Sequence, residues 1–358
     1  MTNPALNTAS VTDILAEAAN AQFRAADFMG EGVLRGIAPA KVNLFLGVGS
    51  SRADGRHEVE NVMHALALHD VLHVNACPLD EAFAHEAQDA IAAGSDALAF
   101  AGAEGQLLVS VDVVDKTTGL GEAQASPLDV PAAENLAFKA AAALAEAAGR
   151  KTPEHVRIRI EKQVPAQAGL GGGSSDAACV LSCLAQLWDV DAALTAQVAA
   201  TLGADVPFFL EGGCARYIGA GESFAGALQP ARTPLVLVKP HAGVSTRDAY
   251  AAFDADPVLP SEKLLAQVRQ ARTAGEVPLF NGLANAADAV QPEVVRVREW
   301  LCAQDGVNAA RVLMSGSGSA FFAEAGSFAQ ASALATAAKA AGFWARPTSL
   351  SRLRAQAM

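Results

Sequence analysis

The stretch GLGGGSSDAA, residues 169–178, puts four glycines and two serines into its first seven positions. Such a run resembles a linker, yet Ala177-Ala178-Cys179-Val180-Leu181 follows at once, and linkers do not lead into cores. Upstream, VRIRIEKQV (156–164) alternates apolar and charged residues with a period of two, which predicts a strand. Downstream, SSDAACVLSCLAQLWD (174–189) predicts a helix. The order is therefore strand, Pro165, glycine loop, serines, helix. The first turn of a helix carries unpaired N–H groups and a partial positive charge. Glycines ahead of it allow a tight bend and close approach of a ligand. Together they form a cradle for phosphate, with Ser174 and Ser175 as hydroxyl donors at its mouth. A helix capped after a flexible turn needs only one glycine, whereas here Gly169, Gly171, Gly172 and Gly173 all occur. The P-loop pattern is excluded because no lysine follows the glycines. The dinucleotide fingerprint is excluded because its glycine spacing does not fit.

Composition narrows the remaining options. The chain has 358 residues, a length that suggests two domains. Half of it is apolar and less than a fifth charged, which is a globular composition. A formal net charge of −12 argues against nucleic-acid binding by long-range attraction. An anionic small substrate needs a local positive site. No apolar run is long enough to span a bilayer, and no signal peptide is visible, so a membrane role is not expected. Five cysteines without a CxxC pair fit a reducing, cytoplasmic setting. Cys179 and Cys183, at i and i+4, are expected to be small buried residues. His57, His64, His69 and His73 cluster, but strand-like alternation around His64 favours a buried strand over zinc. No cluster of metal ligands is readable in the sequence.

Elsewhere, Ile14, Leu15, Ala18, Ala21, Ala25 and Phe28 share one helical face in an N-terminal extension over 1–36 that Gly30 would end. VLRGIAPAKVNLFLGV (33–48) is strand material, as is LLVSVDVVD (107–115). Residues 78–106 have weak periodicity and 116–131 read as loop. ENLAFKAAAALAEAAG (134–149) and DAALTAQVAATLG (191–203) read as helices closed by Gly149 and Gly203. PLVLVKP (234–240) is a further strand. Gly, Gln and Pro accumulate near 225–235, so domains over 37–230 and 231–358 are expected.

Three segments now carry a resemblance. PAKVNLFL (39–46), PAQAGLGGGSSDAA (165–178) and LMSGSGSAFFA (313–323) resemble, in order, the three motifs of the GHMP kinases. RADGRHE (52–58), GLGGGSSDAA and LGADVPFF (202–209) most closely resemble the branch that phosphorylates 4-diphosphocytidyl-2-C-methyl-D-erythritol, a step of non-mevalonate isoprenoid synthesis. The resemblance spans about residues 37–350. It implies an α+β fold in two domains, with a ribosomal-protein-S5-domain-2-like N-terminal domain and an α+β C-terminal domain.

The resemblance also implies ATP and Mg²⁺ as cofactors and a cytidine diphosphate-linked polyol as the small-molecule partner, phosphorylated on its 2-hydroxyl. Asp205 matches the catalytic base and Lys41 its partner. From its position alone, Asp205 equally reads as a helix cap, and Lys41 as an edge residue with a solvated head. ATP is expected on Pro165, Ala166, Gln167, Ala168, Gly169, Leu170, Gly171, Gly172, Gly173, Ser174 and Ser175, with Lys162 and Asn135 near the adenine. The acceptor is expected on Asn43, Arg56, His57, Thr246, Tyr250, Gly316, Ser317 and Gly318. For these anionic ligands, Lys41, Lys162, Arg52, Arg56 and the loop N–H groups are expected to supply the local positive field, with Mg²⁺ shielding the phosphates. Arg56 stands where the family usually has an aromatic; its planar guanidinium can also stack on a base. Two alternatives remain at this level: a homoserine- or mevalonate-type kinase, and a non-catalytic nucleotide-binding sensor. RADGRHE and GLGGGSSDAA argue against the first, and the presence of both Lys41 and Asp205 against the second.

Overall fold

A proline inside a long strand shapes the first half of the molecule. The computed structural model describes residues 32–52, 55–102, 105–117, 124–125 and 131–358; the helix expected in the N-terminal extension and most of the 116–131 loop lie outside them. Strand β1 (Val33–Ser51) pairs antiparallel with β2 (His57–Pro78). Pro39 has no N–H for the ladder, and the register shifts between Pro39 and Lys41. Released at this irregularity, the Lys41 N–H donates instead to the carbonyl of Leu170, 3.0 Å away. One proline thus ties the strand to the glycine loop.

The chain continues through helix α1 (Glu81–Ala92), β3 (Leu98–Ala101), β4 (Leu107–Asp115) and β5 (Gln124–Ala125). Helix α2 (Leu136–Ala147) leads to β6 (Glu154–Lys162), which lies parallel to β4, as a helical crossover requires. Next come α3 (Gly172–Trp188), α4 (Ala192–Leu202), α5 (Val206–Glu211), β7 (Cys214–Ile218) and β8 (Ser223–Leu228). Beyond β8 lie β9 (Pro234–Lys239), α6 (Thr246–Ala255), α7 (Glu262–Gln270), β10 (Phe280–Asn281), α8 (Ala284–Val290), α9 (Glu293–Cys302), β11 (Val312–Met314), β12 (Phe321–Glu324), α10 (Phe328–Ala340), β13 (Trp344–Ser349) and β14 (Gln356–Ala357).

Two sheets result. The larger runs β10-β1-β2-β6-β4-β3, with β14 on β1, β5 on β4, and the β7–β8 hairpin on β2. The smaller runs β11-β12-β9-β13. The chain changes sheet between Leu228 and Pro234, while β10 and β14 return to β1. Side-chain alternation distributes the core in layers. Leu235, Leu237 and Phe322 face Ala40, Val42 and Leu44 of β1 between the sheets. Val236, Val238, Phe321 and Ala323 point the other way, onto α6, α9 and α10. On the far face of the large sheet, α2 and α3 cover Val109, Val156 and Ile158. Burial on both faces explains why β1 is continuously buried from Gly36 to Val48.

The strands expected over 33–48, 107–115, 156–164 and 234–240 are present, as are the helices before Gly149 and Gly203. Cys179 and Cys183 are fully buried in α3. The 78–106 region holds a helix that its weak periodicity did not announce: only Ala87 of α1 is buried, and Asp80 caps it by accepting from the Ala82 and Phe83 N–H groups.

Candidate active site

Lys41 lies on the buried β1, two residues before Asn43 and on the same face. Its ammonium donates to Asn43 Oδ1 at 2.6 Å and lies 3.5 Å from Asp205 Oδ2. Lys41 is 4% exposed, and the Asp205 side chain is 30% exposed, so the pair sits at a boundary with solvent access on the carboxylate side. Asp205 holds the N-cap position of α5, yet its side chain makes no capping hydrogen bond. The capping role open to it in the sequence is therefore not the one it has. Asn43 is fixed from two further sides: its Nδ2 donates to Asn61 Oδ1 at 2.8 Å, and Ser315 Oγ donates to its Oδ1 at 3.3 Å.

The glycine loop and the 315–319 loop are laced together. Ser315 Oγ contacts the carbonyl of Gly169 at 2.9 Å, and the Ala320 N–H donates to Ala168 O at 3.1 Å. A Cβ on Gly169 would stand 2.0 Å from the Ser315 carbonyl oxygen, and Gly169 has φ +71°. Both close approach and left-handed backbone thus require glycine here. Gly171 is the left-handed N-cap of α3, and a Cβ there would meet the Phe209 ring at 2.6 Å. Asn281 braces the second loop by donating to the carbonyls of Met314 and Gly316, each at 2.8 Å.

Lys41, Asn43, Asn61 and Asp205 line a cavity of about 1270 Å³. Pro165 to Ser174 line it, with the first-turn N–H groups of α3 as donors without intrahelical partners. Thr246, Tyr250, Gly316, Ser317 and Gly318 line it too, and Thr246 and Ser317 share a hydroxyl–hydroxyl bond of 2.9 Å. Burial raises the Tyr250 hydroxyl to about 12, the Asp205 charge adding to this, so Tyr250 presents a neutral phenol.

Other expected positions fall differently. Ser175 is fully buried and outside the cavity lining, so its hydroxyl is not a donor at the mouth; Ser174 lines the cavity. The reason is register: the helix begins at Gly172, which turns the fourth helical residue into the core. Arg56 is exposed and His57 buried, and neither lines the cavity. His57 Nε2 pairs with Asp254 Oδ1 at 2.7 Å, and its ring lies 5.2 Å from that of Tyr250. Asn135 lines the cavity, but its side-chain oxygen caps α2 through the Ala137 N–H. Lys162 lines the cavity with its ammonium held between Asp70 and Asp176. Burial alone would lower its pKa, but the Asp176 and Asp70 carboxylates outweigh this and raise it. Asp70 also accepts from the Val164 N–H, whereas Asp176 Oδ1 has no partner; burial and the Asp70 charge raise Asp176 to about 8, against the pull of Lys162.

The local field therefore differs from the expectation. Arg52 pairs with Glu58 and Arg56 stays outside, while Lys239, absent from the expected set, lines the cavity. Its ammonium donates to the carbonyls of Pro240 and His241, and burial lowers its pKa. Among the described residues, no three His, Cys, Asp or Glu side chains converge as a metal site, and no helix is long and apolar enough to cross a membrane.

Comparison with known proteins places the chain in a family. Residues 135–213 match the GHMP kinases N terminal domain, and residues 263–343 the GHMP kinases C terminal domain. The 4-diphosphocytidyl-2-C-methyl-D-erythritol kinase of Desulfitobacterium hafniense (strain Y51) is 35% identical over 294 residues, 80% of this chain and 85% of that one. The enzyme of the same name from Thermus thermophilus is 37% identical over 289 residues, 80% of this chain and 86% of that one. A crystal structure of 4-(cytidine 5'-diphospho)-2C-methyl-D-erythritol kinase superposes with a TM-score of 0.62 at 33% identity, covering 88% of this chain and 99% of that one. A homoserine kinase from Cytophaga hutchinsonii shares the fold at 15% identity and a TM-score of 0.58, covering 92% of this chain and 98% of its own. The chain belongs to the 4-diphosphocytidyl-2-C-methyl-D-erythritol kinase family, within the two-domain α+β GHMP kinases.

Proposed function

We propose that the protein transfers the γ-phosphoryl group of ATP to the 2-hydroxyl of 4-diphosphocytidyl-2-C-methyl-D-erythritol, releasing ADP. The observation that carries this reading is the Lys41–Asp205 pair, 3.5 Å apart, in one cavity with the N-terminus of α3. A cavity of about 1270 Å³ also exceeds the roughly 300–1,000 Å³ usual for one ligand, as a two-substrate site requires.

Roles for individual residues follow from the same geometry. The loop Pro165–Ser174 cradles the phosphates of ATP on backbone N–H groups. Asp205 accepts the proton of the 2-hydroxyl as its oxygen bonds to the γ-phosphorus. The bond from that phosphorus to the bridging oxygen breaks, and its electron pair leaves with ADP. Lys41 stands beside the base, where an ammonium stabilises charge developing on the acceptor oxygen. Asn43, held by Asn61 and Ser315, orients the polyol. Thr246, Tyr250 and the 316–318 loop form its binding wall, and His57, beside Tyr250, serves the cytosine end with Arg56 outside it.

Mg²⁺ is the expected companion of ATP. It needs near-octahedral oxygen ligands but keeps several waters and takes only one or two protein oxygens. The donors here fit that demand, since Asp205 and Ser174 line the cavity while no larger carboxylate cage is built among the described residues. When bound, the ion supplies charge neutralisation of the phosphates. The free cysteines fit a cytoplasmic enzyme.

ADP release with Mg-ATP tests the reading, comparing the cytidylated acceptor with its uncytidylated phosphate, homoserine and mevalonate. Turnover with the cytidylated acceptor alone is expected. Turnover with another alcohol instead would overturn the substrate, and ATP binding without turnover on any of them would support a sensor.

A further inference from the structure

The cavity continues along the glycine loop past the Lys41–Asp205 pair: Lys41 packs beside Gly171, while Lys162 and Leu136 stand beside Gly172 and Gly173. Val113, Thr117, Leu136 and Ile160 line it from the large sheet and α2, and Trp344 closes it from the small sheet. Trp344 is not simply packed there. Its Nε1–H donates to the carbonyl of Thr117 at 2.9 Å. Two residues on, Arg346 donates through Nη2 to the carbonyls of Lys116 and Thr117, at 3.0 and 3.1 Å. Strand β13 thus clasps the end of β4 across the cleft, and the clasp fixes the indole by its edge.

Resting on the kinase reading, the geometry fixes which part of ATP lies here. The γ-phosphoryl must point at Asp205, and the phosphates lie on the glycine loop, so the purine extends to the opposite end. Its faces are apolar and polarisable, as are Val113, Leu136, Ile160 and Trp344, while Asp115, Glu134 and Lys162 line the cavity beside them. We propose that Trp344 is a nucleobase-binding residue: its indole is the wall on which the purine stacks, and Arg346 positions that wall through the Lys116–Thr117 backbone. A ring already held by a hydrogen bond loses little freedom when a base stacks on it, which favours binding.

Nucleotide affinity measured against a ligand without a base tests this. Base–aromatic stacking losses on alanine substitution, about 1–3 kcal/mol, correspond to roughly 5- to 150-fold. Trp344→Ala is expected to raise KM for ATP and the Kd of ADP about tenfold or more, leaving KM for the acceptor in place. Inhibition by inorganic tripolyphosphate, which has no base, is expected to stay at the wild-type constant. Trp344→Phe keeps a ring, so its ATP affinity is expected to stay within a few fold of wild type, while the ADP-induced change in tryptophan fluorescence disappears. Unchanged ATP affinity in Trp344→Ala overturns the proposal. So does a parallel loss of ATP and tripolyphosphate binding, which would mark a distorted loop. Should Trp344→Ala not fold, an ADP-induced fluorescence change that survives in Trp344→Phe overturns it independently. A wild-type protein that fails to turn over ATP would instead count against the kinase reading.

Discussion

Two glycines of one loop predict opposite responses to the same substitution. Gly169→Ala places a methyl 2.0 Å from the Ser315 carbonyl oxygen, on a backbone at φ +71°. The left-handed conformation costs alanine roughly 1–2 kcal/mol. Relieving the overlap, which involves backbone held by its own hydrogen bonds, costs about 1–3 kcal/mol more. The expected loss is therefore about 2–5 kcal/mol, and the glycine and 315–319 loops must part locally. Gly173, in the first turn of α3, has no such neighbour: its nearest contact would be Leu136 Cδ1 at 3.8 Å. Alanine there is expected to stabilise the fold by about 0.5–1 kcal/mol, since it restricts the unfolded chain and favours the helix. If α3 holds phosphate, however, that methyl stands where the ligand approaches, and KM for ATP rises while stability also rises. Urea unfolding of both variants, with ATP kinetics on each, checks the pair. A wild-type unfolding midpoint for Gly169→Ala would refute the close-approach argument. Higher stability with unchanged KM for ATP in Gly173→Ala would refute the idea that ligand approach requires Gly173.

Two further expectations concern the frame. His64 accepts the Ala231 N–H on Nε2 at 2.9 Å and, with Nδ1 facing the Ala65 carbonyl, must stay neutral; burial lowers its pKa from 6.5 to about 4. A depressed histidine contributes stability above its unfolded value that is lost as pH falls through the folded one. Wild type should thus lose up to about 3 kcal/mol more than His64→Gln between pH 6.5 and 4, as read by urea unfolding, and parallel profiles would refute the assignment. Asn281→Ala strips the buried carbonyls of Met314 and Gly316 of their shared donor. At about 1–3 kcal/mol per orphaned group, a loss of about 2–5 kcal/mol and a fall in kcat/KM for the acceptor are expected; unchanged acceptor kinetics would show that the 315–319 loop needs no brace.

What the sequence disclosed depended on how locally each feature is built. The glycine loop announces itself because strand, bend and helix N-terminus are contiguous. The strands and most helices are legible from alternation and closing glycines, but α1, with only Ala87 buried, leaves almost no apolar face to read. Lys41 and Asp205 lie 164 positions apart, so their pairing was available only through family resemblance. Asn61 and Asn281 were missed because each acts through partners from other elements, and a single asparagine in a strand carries no sign of that. Lys162 seemed a free cation, since nothing near it in sequence shows Asp70 arriving from β2. Ser175 was misplaced because the helix starts inside the glycine run, at Gly172, rather than at the serines. Trp344 gave no signal either, its partner Thr117 being 227 positions away.

The most direct test of the central claim is the turnover of Asp205→Asn with saturating Mg-ATP and cytidylated acceptor. The substitution keeps the shape of a side chain that caps nothing and removes its ability to take a proton. General base catalysis is worth about 10²–10⁴-fold, so kcat should fall by that order while the Kd for ATP stays near wild type. Wild-type turnover by Asp205→Asn would contradict the account, because no proton acceptor at the Lys41 ammonium would then be needed.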